Sequence, residues 1–472
     1  MSERIQSAIN SLVEILGKEK VRSDRTTLIS YARDVFMPGY LDLRRGKIEH
    51  LPWLVCYPEN IEQVSKIVKI ARENKIPLIA FGGGSGVLGG TTPLKGGVIV
   101  DLKRMRKIHS INKINQTCKV DAGIFGEELE RALNREGFTL GHFPSSIYCS
   151  TLGGWLATRS AGQFSAKYGK IEDLVIALVG VLADGSIFHT KATPRSATGP
   201  DLDQVLIGSE GTLGIITSAI LSISPVPSIR SYRGFSFEGV EMGLEAIRVL
   251  MQKEREPALL RLYDPMDTKF NASKLKAPSS GCLLVIGYEG FNKERTELKA
   301  RLGFEELKNI YGKDLGEAPG LAWLEHRYSV SYNQSKILSQ AGNLLDTIEV
   351  SVRFRDALGL YQRIMERIGK IGLVMAHFSH AWRDGVCIYF SFLVNDPEPE
   401  KLREKHFQVW EKAMSACLEL GASISHHHGI GFYRSRWLKQ ELGLGHQILV
   451  KLKKELDPDF IFNPGKLGLG ED

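Results

Sequence analysis

The sequence predicts an α+β protein in which a glycine-rich first half precedes a domain built on an antiparallel sheet. Three observations predict it. The first half gathers glycines, of which the chain has 48, into loops between short apolar runs, as at Gly82-Gly83-Gly84-Ser85-Gly86 and Gly208-Ser209-Glu210-Gly211. The stretch Ser224-Pro225-Val226-Pro227-Ser228 then punctuates the chain as a domain boundary does. Beyond it, from about 231 to 420, strand-like runs alternate with amphipathic helices, the texture of an antiparallel sheet covered by helices. With 472 residues, 43% apolar and 24% charged, the chain is globular, of two or three domains, and excludes a disordered, collagen-like or coiled-coil protein.

The elements follow in order. Residues 1–20 read as a charged amphipathic helix lacking the apolar core of a signal peptide, and open a helical segment over 1–50. A helix is expected near 61–74, where Asn60 caps, Gln63 stands three residues on, and Ile61, Val64, Ile67, Val68 and Ala71 make an apolar stripe. Strands are expected at 76–81 and 97–102, flanking the first glycine run. Asp184-Gly185 marks a hairpin turn within 174–189, and the segment after Gly208 leads into a strand ending near Pro225. In the second half, strands are expected at Cys282–Gly287, Asp346–Arg353 and Val386–Val394, and helices near 238–253, 355–369 and 399–420. A last helix is expected near 435–455.

The charge balance, 61 Lys plus Arg against 54 Asp plus Glu, is a mild excess that permits an anionic ligand or membrane surface and gives no sign of nucleic acid. Six scattered cysteines with no CxxC spacing argue against an iron–sulfur site, a zinc ribbon or a disulfide scaffold, and suit reduced thiols in the cytoplasm. No run of about 18 apolar residues marks a membrane span.

Gly84-Ser85-Gly86-Val87-Leu88-Gly89 matches the dinucleotide fingerprint by letter. A true fingerprint runs straight into a helix, whereas Thr91-Thr92-Pro93 and another strand follow here. Consecutive glycines leave main-chain N–H groups open, so a nest for a pyrophosphate fits better; a ligand-free turn is the alternative that this loop alone leaves open.

Three segments in fixed order, Phe81-Gly82-Gly83-Gly84-Ser85-Gly86, Ser150-Thr151-Leu152-Gly153-Gly154-Trp155 and Gly208-Ser209-Glu210-Gly211-Thr212-Leu213-Gly214, resemble the flavin domain of the vanillyl-alcohol-oxidase-type FAD proteins. Ser196-Ala197-Thr198-Gly199-Pro200-Asp201, Cys387-Ile388-Tyr389-Phe390 and Ser425-His426-His427-His428-Gly429-Ile430-Gly431 resemble the alkyl-dihydroxyacetonephosphate synthase branch. Asn463-Pro464-Gly465-Lys466-Leu467 is similar to the glycolate and D-lactate dehydrogenase branch. The resemblance implies a two-subdomain FAD-binding domain of vanillyl-alcohol-oxidase (PCMH) type over 51–228. An α+β cap domain with an antiparallel sheet would span 229–424, and a tail, 425–472, would return to the flavin. It implies that Gly82, Gly83, Gly84, Ser85, Gly86 and Val87 cradle the pyrophosphate. Pro144, Ser145, Ser150, Thr151, Gly153 and Gly154 would line the flavin and ribityl region, and Glu210, Gly214 and Ile216 the adenosine end. Ser85 stands where some relatives attach flavin through a histidine, so non-covalent FAD is expected.

Consecutive residues of an extended segment point to opposite faces, so His426, His427 and His428 cannot share one role. One or two facing the flavin would move a proton, and a surface loop or adventitious metal binding is the alternative. Tyr389 reads as a core tyrosine, or by the resemblance as an active-site acid/base. Arg261 is a charge inside an apolar run that must be paired; it reads as a structural salt bridge or, by the resemblance, as a phosphate or carboxylate clamp. By alignment Gln334 stands where the synthases carry a cap arginine, and Ser145 where they carry Asp; with Arg261 and His380, Gln334 is expected to touch substrate. His377 and His380 lie close to Tyr389; in the dehydrogenase branch a His-x6-His pair and a Glu bind a divalent metal, but here Tyr389 stands for the second His and His427 for the Glu, so no metal is expected.

The function so implied is ether-lipid synthesis, in which the acyl group of acyl-dihydroxyacetone phosphate is exchanged for a fatty alcohol through a flavin N5 adduct. The alternative is an FAD-linked 2-hydroxy-acid dehydrogenase passing hydride to N5, and a non-enzymatic scaffold is a third. A small-molecule or lipid substrate, a homodimer, and a cytoplasmic protein touching membrane through Tyr433, Arg434, Arg436, Trp437 and Lys439 are expected.

Overall fold

The computed structural model describes residues 3–470 other than 254, 330–336, 338 and 339. Gln334 lies outside the described residues.

Three larger sheets organise the chain, beside a two-stranded one of Phe138–Thr139 and Ser224–Pro225. The first has the order Val21–Arg22, Leu54–Cys56, Val98–Asp101, Leu78–Phe81, and its last three strands are parallel. Helix Ile61–Asn74 covers it. Asn60 accepts from the Gln63 amide at 2.9 Å, and Val64, Ile67, Val68 and Ala71 are buried, as the stripe requires. The N-terminal helix, Glu3–Leu16, adds Ala8, Leu12 and Leu16 to the same core. The second sheet is antiparallel, in the order Ile108–Asn112, Thr117–Asp121, Ile215–Ser222, Val175–Val181, Ile187–His189. Gly185, with φ +80°, turns its terminal hairpin.

The third sheet has seven strands, all antiparallel, in the order Lys313–Asp314, Ile229–Phe237, Cys282–Gly290, Leu259–Tyr263, Leu373–Ala381, Gly385–Asn395, Asn343–Arg353. Helices Val240–Gln252, Lys293–Asn309, Phe354–Gly369 and Pro399–Glu419 pack on it. Side chains alternate across a strand. Leu260, Leu262, Phe378, Ile388, Phe390, Ile348 and Val350 therefore join the helix-side core, and Arg261, His377, Tyr389 and Glu349 fall on the opposite face, toward the glycine loops.

The chain end returns to the first sheet. The Leu78 amide donates to Ile461 O at 2.7 Å and the Asn463 amide to Leu78 O at 2.8 Å. The helix expected near 435–455 is two helices, Ser435–Leu442 and Leu444–Leu456, broken at Gly443, whose φ of 53° and ψ of −121° suit glycine alone. The expected basic and aromatic surface there is also incomplete. Tyr433 is buried against His406, and Arg434 is fully buried on Glu349. Among the described residues, no helix is long and apolar enough to cross a membrane.

Candidate active site

The glycine loop leaves the parallel strand Leu78–Phe81 and meets the start of helix Leu152–Thr158. A Cβ on Gly82 would stand 2.2 Å from Thr151 Oγ1, and one on Gly83 would stand 1.8 Å from the Cys149 carbonyl oxygen. Only glycine permits so close an approach. The amides of Gly82, Gly83, Gly84, Ser85 and Gly86 find no acceptor among the described residues. Five consecutive open N–H groups make an anion cradle that needs no helix N-terminus. Lys103 Nζ fixes its start, donating to Gly82 O at 3.0 Å and to the buried Asp101 carboxylate at 2.6 Å. Tyr31 donates to the same carboxylate at 2.5 Å. The Val35 amide donates to Gly86 O at 2.8 Å, and Asp34 lies beneath Gly86, its carboxyl pushed up to about 7 by burial. The N-terminal segment therefore shapes this loop, a contribution that the sequence reading missed.

The loop opens on a cavity of about 790 Å³ that Gly82 to Val87, Pro144, Ser145, Ser150, Thr151, Gly153, Gly154, Glu210, Gly214 and Ile216 all line. Two of these have inward tasks. Ser150 Oγ donates to Ser146 O at 2.8 Å and accepts from Trp155 Nε1 at 2.7 Å. Glu210 accepts from the amides of Ile430 and Gly431 at 2.6 and 2.8 Å, so its carboxylate pins the histidine segment to the cavity wall.

The third sheet and the loop after helix Pro399–Glu419 supply the other wall: Arg261, His377, His380 and Tyr389 from the sheet, and His427 and His428 from the loop, line the same cavity. His426 does not; it packs on Trp382 and His380. The amides of His426 and His428 donate to Glu349 at 2.7 and 2.6 Å, and Arg434 Nη1 donates to the same carboxylate at 3.0 Å. His426 Nδ1 and His427 Nδ1 stand 2.8 Å apart. Burial holds all three imidazoles below the ordinary histidine value, so they are neutral at neutral pH. The Tyr389 phenol is pushed up to about 12, chiefly by burial, and stays protonated. Its ring stacks on His377 at 4.8 Å and 15°.

Arg261 Nη2 lies 2.6 Å from His377 Nε2, and its Nε has no partner among the described residues. Among the described residues no carboxylate pairs with Arg261, Lys274 or Arg327, three cations on the cavity wall. Of the two readings for Arg261, the salt bridge is absent among the described residues, which leaves its charge open to the cavity. His380 donates or accepts at both nitrogens, with Gly162 O at 2.9 Å and Ser379 Oγ at 2.8 Å, and burial lowers its pKa to about 3. His380, Cys387, His426 and His427 place one ligand atom each within 4.8 Å of one another, a set that suits a borderline-soft cation. Glu349 and Asp267 escaped the sequence reading, because nothing local distinguishes an acid whose partners lie 77 and 110 residues away.

A family model described as the FAD binding domain matches residues 52–191, and one described as the FAD linked oxidases, C-terminal domain, matches residues 226–467. The chain is 32% identical to alkyldihydroxyacetonephosphate synthase of Trypanosoma brucei brucei, over 98% of this chain and 80% of that one. It is 27% identical to glycolate oxidase subunit GlcD of Bacillus subtilis (strain 168), over 97% and 95%. A solved structure of alkyldihydroxyacetonephosphate synthase superposes with a TM-score of 0.83 at 27% identity, over 97% of this chain and 84% of that one. The open amides, the crowded glycines and the cavity fit FAD.

Proposed function

This chain belongs to the FAD-linked oxidases, and from that premise we propose that it exchanges the acyl group of acyl-dihydroxyacetone phosphate for a fatty alcohol, with FAD held non-covalently. One observation carries the reading: a single cavity joins the glycine loops to unpaired cations and then to apolar side chains at the surface. Arg261, Lys274 and Arg327 supply positive charge without a protein anion, which suits a phosphate monoester. Met266, Leu275, Leu345, Leu373, Met375 and Leu393 continue the wall, and Met266, Phe270 and Leu373 are exposed at its edge, which suits an alkyl chain.

Bound FAD supplies the nucleophile of the exchange, which involves no net oxidation. The residues handle protons and charge. The incoming alcohol must lose its proton, and neutral His427 or His428 can accept it; His427 Nδ1 is tied to His426, which leaves Nε2 for the substrate. Tyr389 keeps its proton at neutral pH and offers a hydrogen bond, without proton transfer, to the ester oxygen that leaves the reacting carbon. The departing acyl group leaves as a carboxylate and needs no proton. We further propose that the exposed apolar edge rests on a membrane surface, where both lipid substrates reside.

The test is exchange of labelled fatty alcohol into acyl-dihydroxyacetone phosphate by the yellow holoenzyme. Exchange without lasting flavin bleaching is expected, and Tyr389→Phe should keep FAD and lose about a hundredfold in rate. The similarity to a glycolate oxidase subunit favours a second reading, a 2-hydroxy-acid dehydrogenase in which the same histidines take the hydroxyl proton and Arg261 the carboxylate. Anaerobic bleaching by D-lactate or glycolate, with no alcohol exchange, would replace the first reading by the second.

A further inference from the structure

We infer that Asp267 and His377 are positioning residues that keep Arg261 free for an anion from the cavity, with the imidazole interposed to prevent an Asp267–Arg261 salt bridge. Arginine N–H groups only donate. His377 Nε2, 2.6 Å from Arg261 Nη2, must therefore present its lone pair, and the ring proton resides on Nδ1. Asp267 Oδ2 accepts there at 2.9 Å. One tautomer satisfies both contacts, and the other would set a ring N–H against a guanidinium N–H.

Each member is itself fixed. Asp267 is buried, its Oδ1 accepts from Asn271 Nδ2 at 2.6 Å, and its amide donates to Asp264 Oδ1 at 2.7 Å. His377 lies flat on Tyr389 at 4.8 Å, so rotating the ring would break the stack and both hydrogen bonds together. Burial and the Arg261 charge hold His377 well below the ordinary histidine value, which keeps the spacer neutral. Burial pushes the Asp267 carboxyl up to about 7, so above that pH a cation and an anion are separated by one uncharged ring, and phosphate binding is measured about one pH unit higher. Removing the ring leaves the carboxylate to draw in the guanidinium and close the anion site.

This inference rests on reading Arg261 as the anion contact, and the test separates the two. Binding of inorganic phosphate to the FAD-loaded protein is followed by calorimetry in wild type, Arg261→Ala, His377→Ala, Asp267→Asn and the Asp267→Asn/His377→Ala double variant. His377→Ala should weaken phosphate about tenfold, equal to about 1.4 kcal/mol. Asp267→Asn alone should change it little, because the amide oxygen still accepts from Nδ1 once the Asn271 side-chain amide turns its oxygen toward the new NH2. The double variant should recover most of the loss, since no carboxylate remains to capture Arg261. A merely structural role predicts the opposite, a double variant worse than either single one, and that result overturns the inference. His377→Ala binding as tightly as wild type while Arg261→Ala binds weakly would do the same and leave the anion site standing. Equal affinity in wild type and Arg261→Ala would remove the anion site and the inference together. Should His377→Ala not fold, His377→Gln offers both an acceptor and a donor and should bind phosphate near the wild-type level; failure to do so in a folded, FAD-loaded protein counts against the spacer.

Discussion

His142 is a buried imidazole with no partner at either ring nitrogen among the described residues, packed at 4.7 Å against Trp155 behind the glycine loops. Burial lowers its pKa to about 3. Its unfolded counterpart titrates near 6.5, so between those values the unfolded chain binds a proton that the folded one refuses. Stability from this residue is therefore full above about pH 6.5 and falls as pH drops toward 3, by about 1.4 kcal/mol per pH unit. His142→Phe should narrow the difference in melting temperature between pH 7 and pH 5; an unchanged difference would mean that the ring is hydrated or paired. At this scale the sequence was readable where crowding demands one residue type. Gly82 and Gly83 could be nothing else, given Thr151 and the Cys149 carbonyl. Asp34 was not readable, since its meaning arises only when the N-terminal segment folds over Gly86.

Among elements, the strand Asn343–Arg353 does most to order the chemistry. Glu349 stands opposite Tyr389 in the ladder and receives two amides of the histidine segment and the Arg434 guanidinium. Both charged partners are fully buried. Removing one charge of such a pair strands the other, at a cost of about 3 kcal/mol or more. Glu349→Gln should thus lower the melting temperature and slow turnover while FAD remains bound, because the glycine cradle does not touch it. Loss of flavin instead would show that the histidine segment and the cradle fold as one unit. Elements with strong local signals were legible: the capped, striped helix Ile61–Asn74 and the strands Cys282–Gly290 and Gly385–Asn395. The break at Gly443 was not, because Gly443 and Gly445 lie inside an otherwise helical pattern, and one glycine only weakens a helix unless tertiary contacts turn the chain there. The face of each strand followed from alternation, yet which strands are neighbours did not. Arg261, His377 and Tyr389 meet only through the order Leu259–Tyr263, Leu373–Ala381, Gly385–Asn395.

At the scale of the molecule, the parallel sheet and its glycine loop form one side of the cavity and the seven-stranded sheet the other, with the chain end tying back to the first. Two-sided enclosure explains why His377, His380 and Glu349 are buried while the edge near helix Pro265–Asn271 stays open. That edge exposes Met266, Phe270 and Leu373, beside Lys269 and Lys276, which are also exposed. Apolar side chains flanked by lysines suit an anionic bilayer surface, where each basic residue near the headgroups adds about 1 kcal/mol. Phe270→Asp combined with Leu373→Asp should reduce sedimentation with phosphatidylserine vesicles and slow exchange of long-chain substrates. A short-chain, water-soluble analogue should react at nearly the wild-type rate, since neither residue touches Tyr389 or the histidines. If the double variant slowed both substrates equally, the edge would be part of the catalytic wall and not a lipid entrance. If vesicle binding persisted, the membrane would be met through another surface, and the apolar wall would have to be filled from solution.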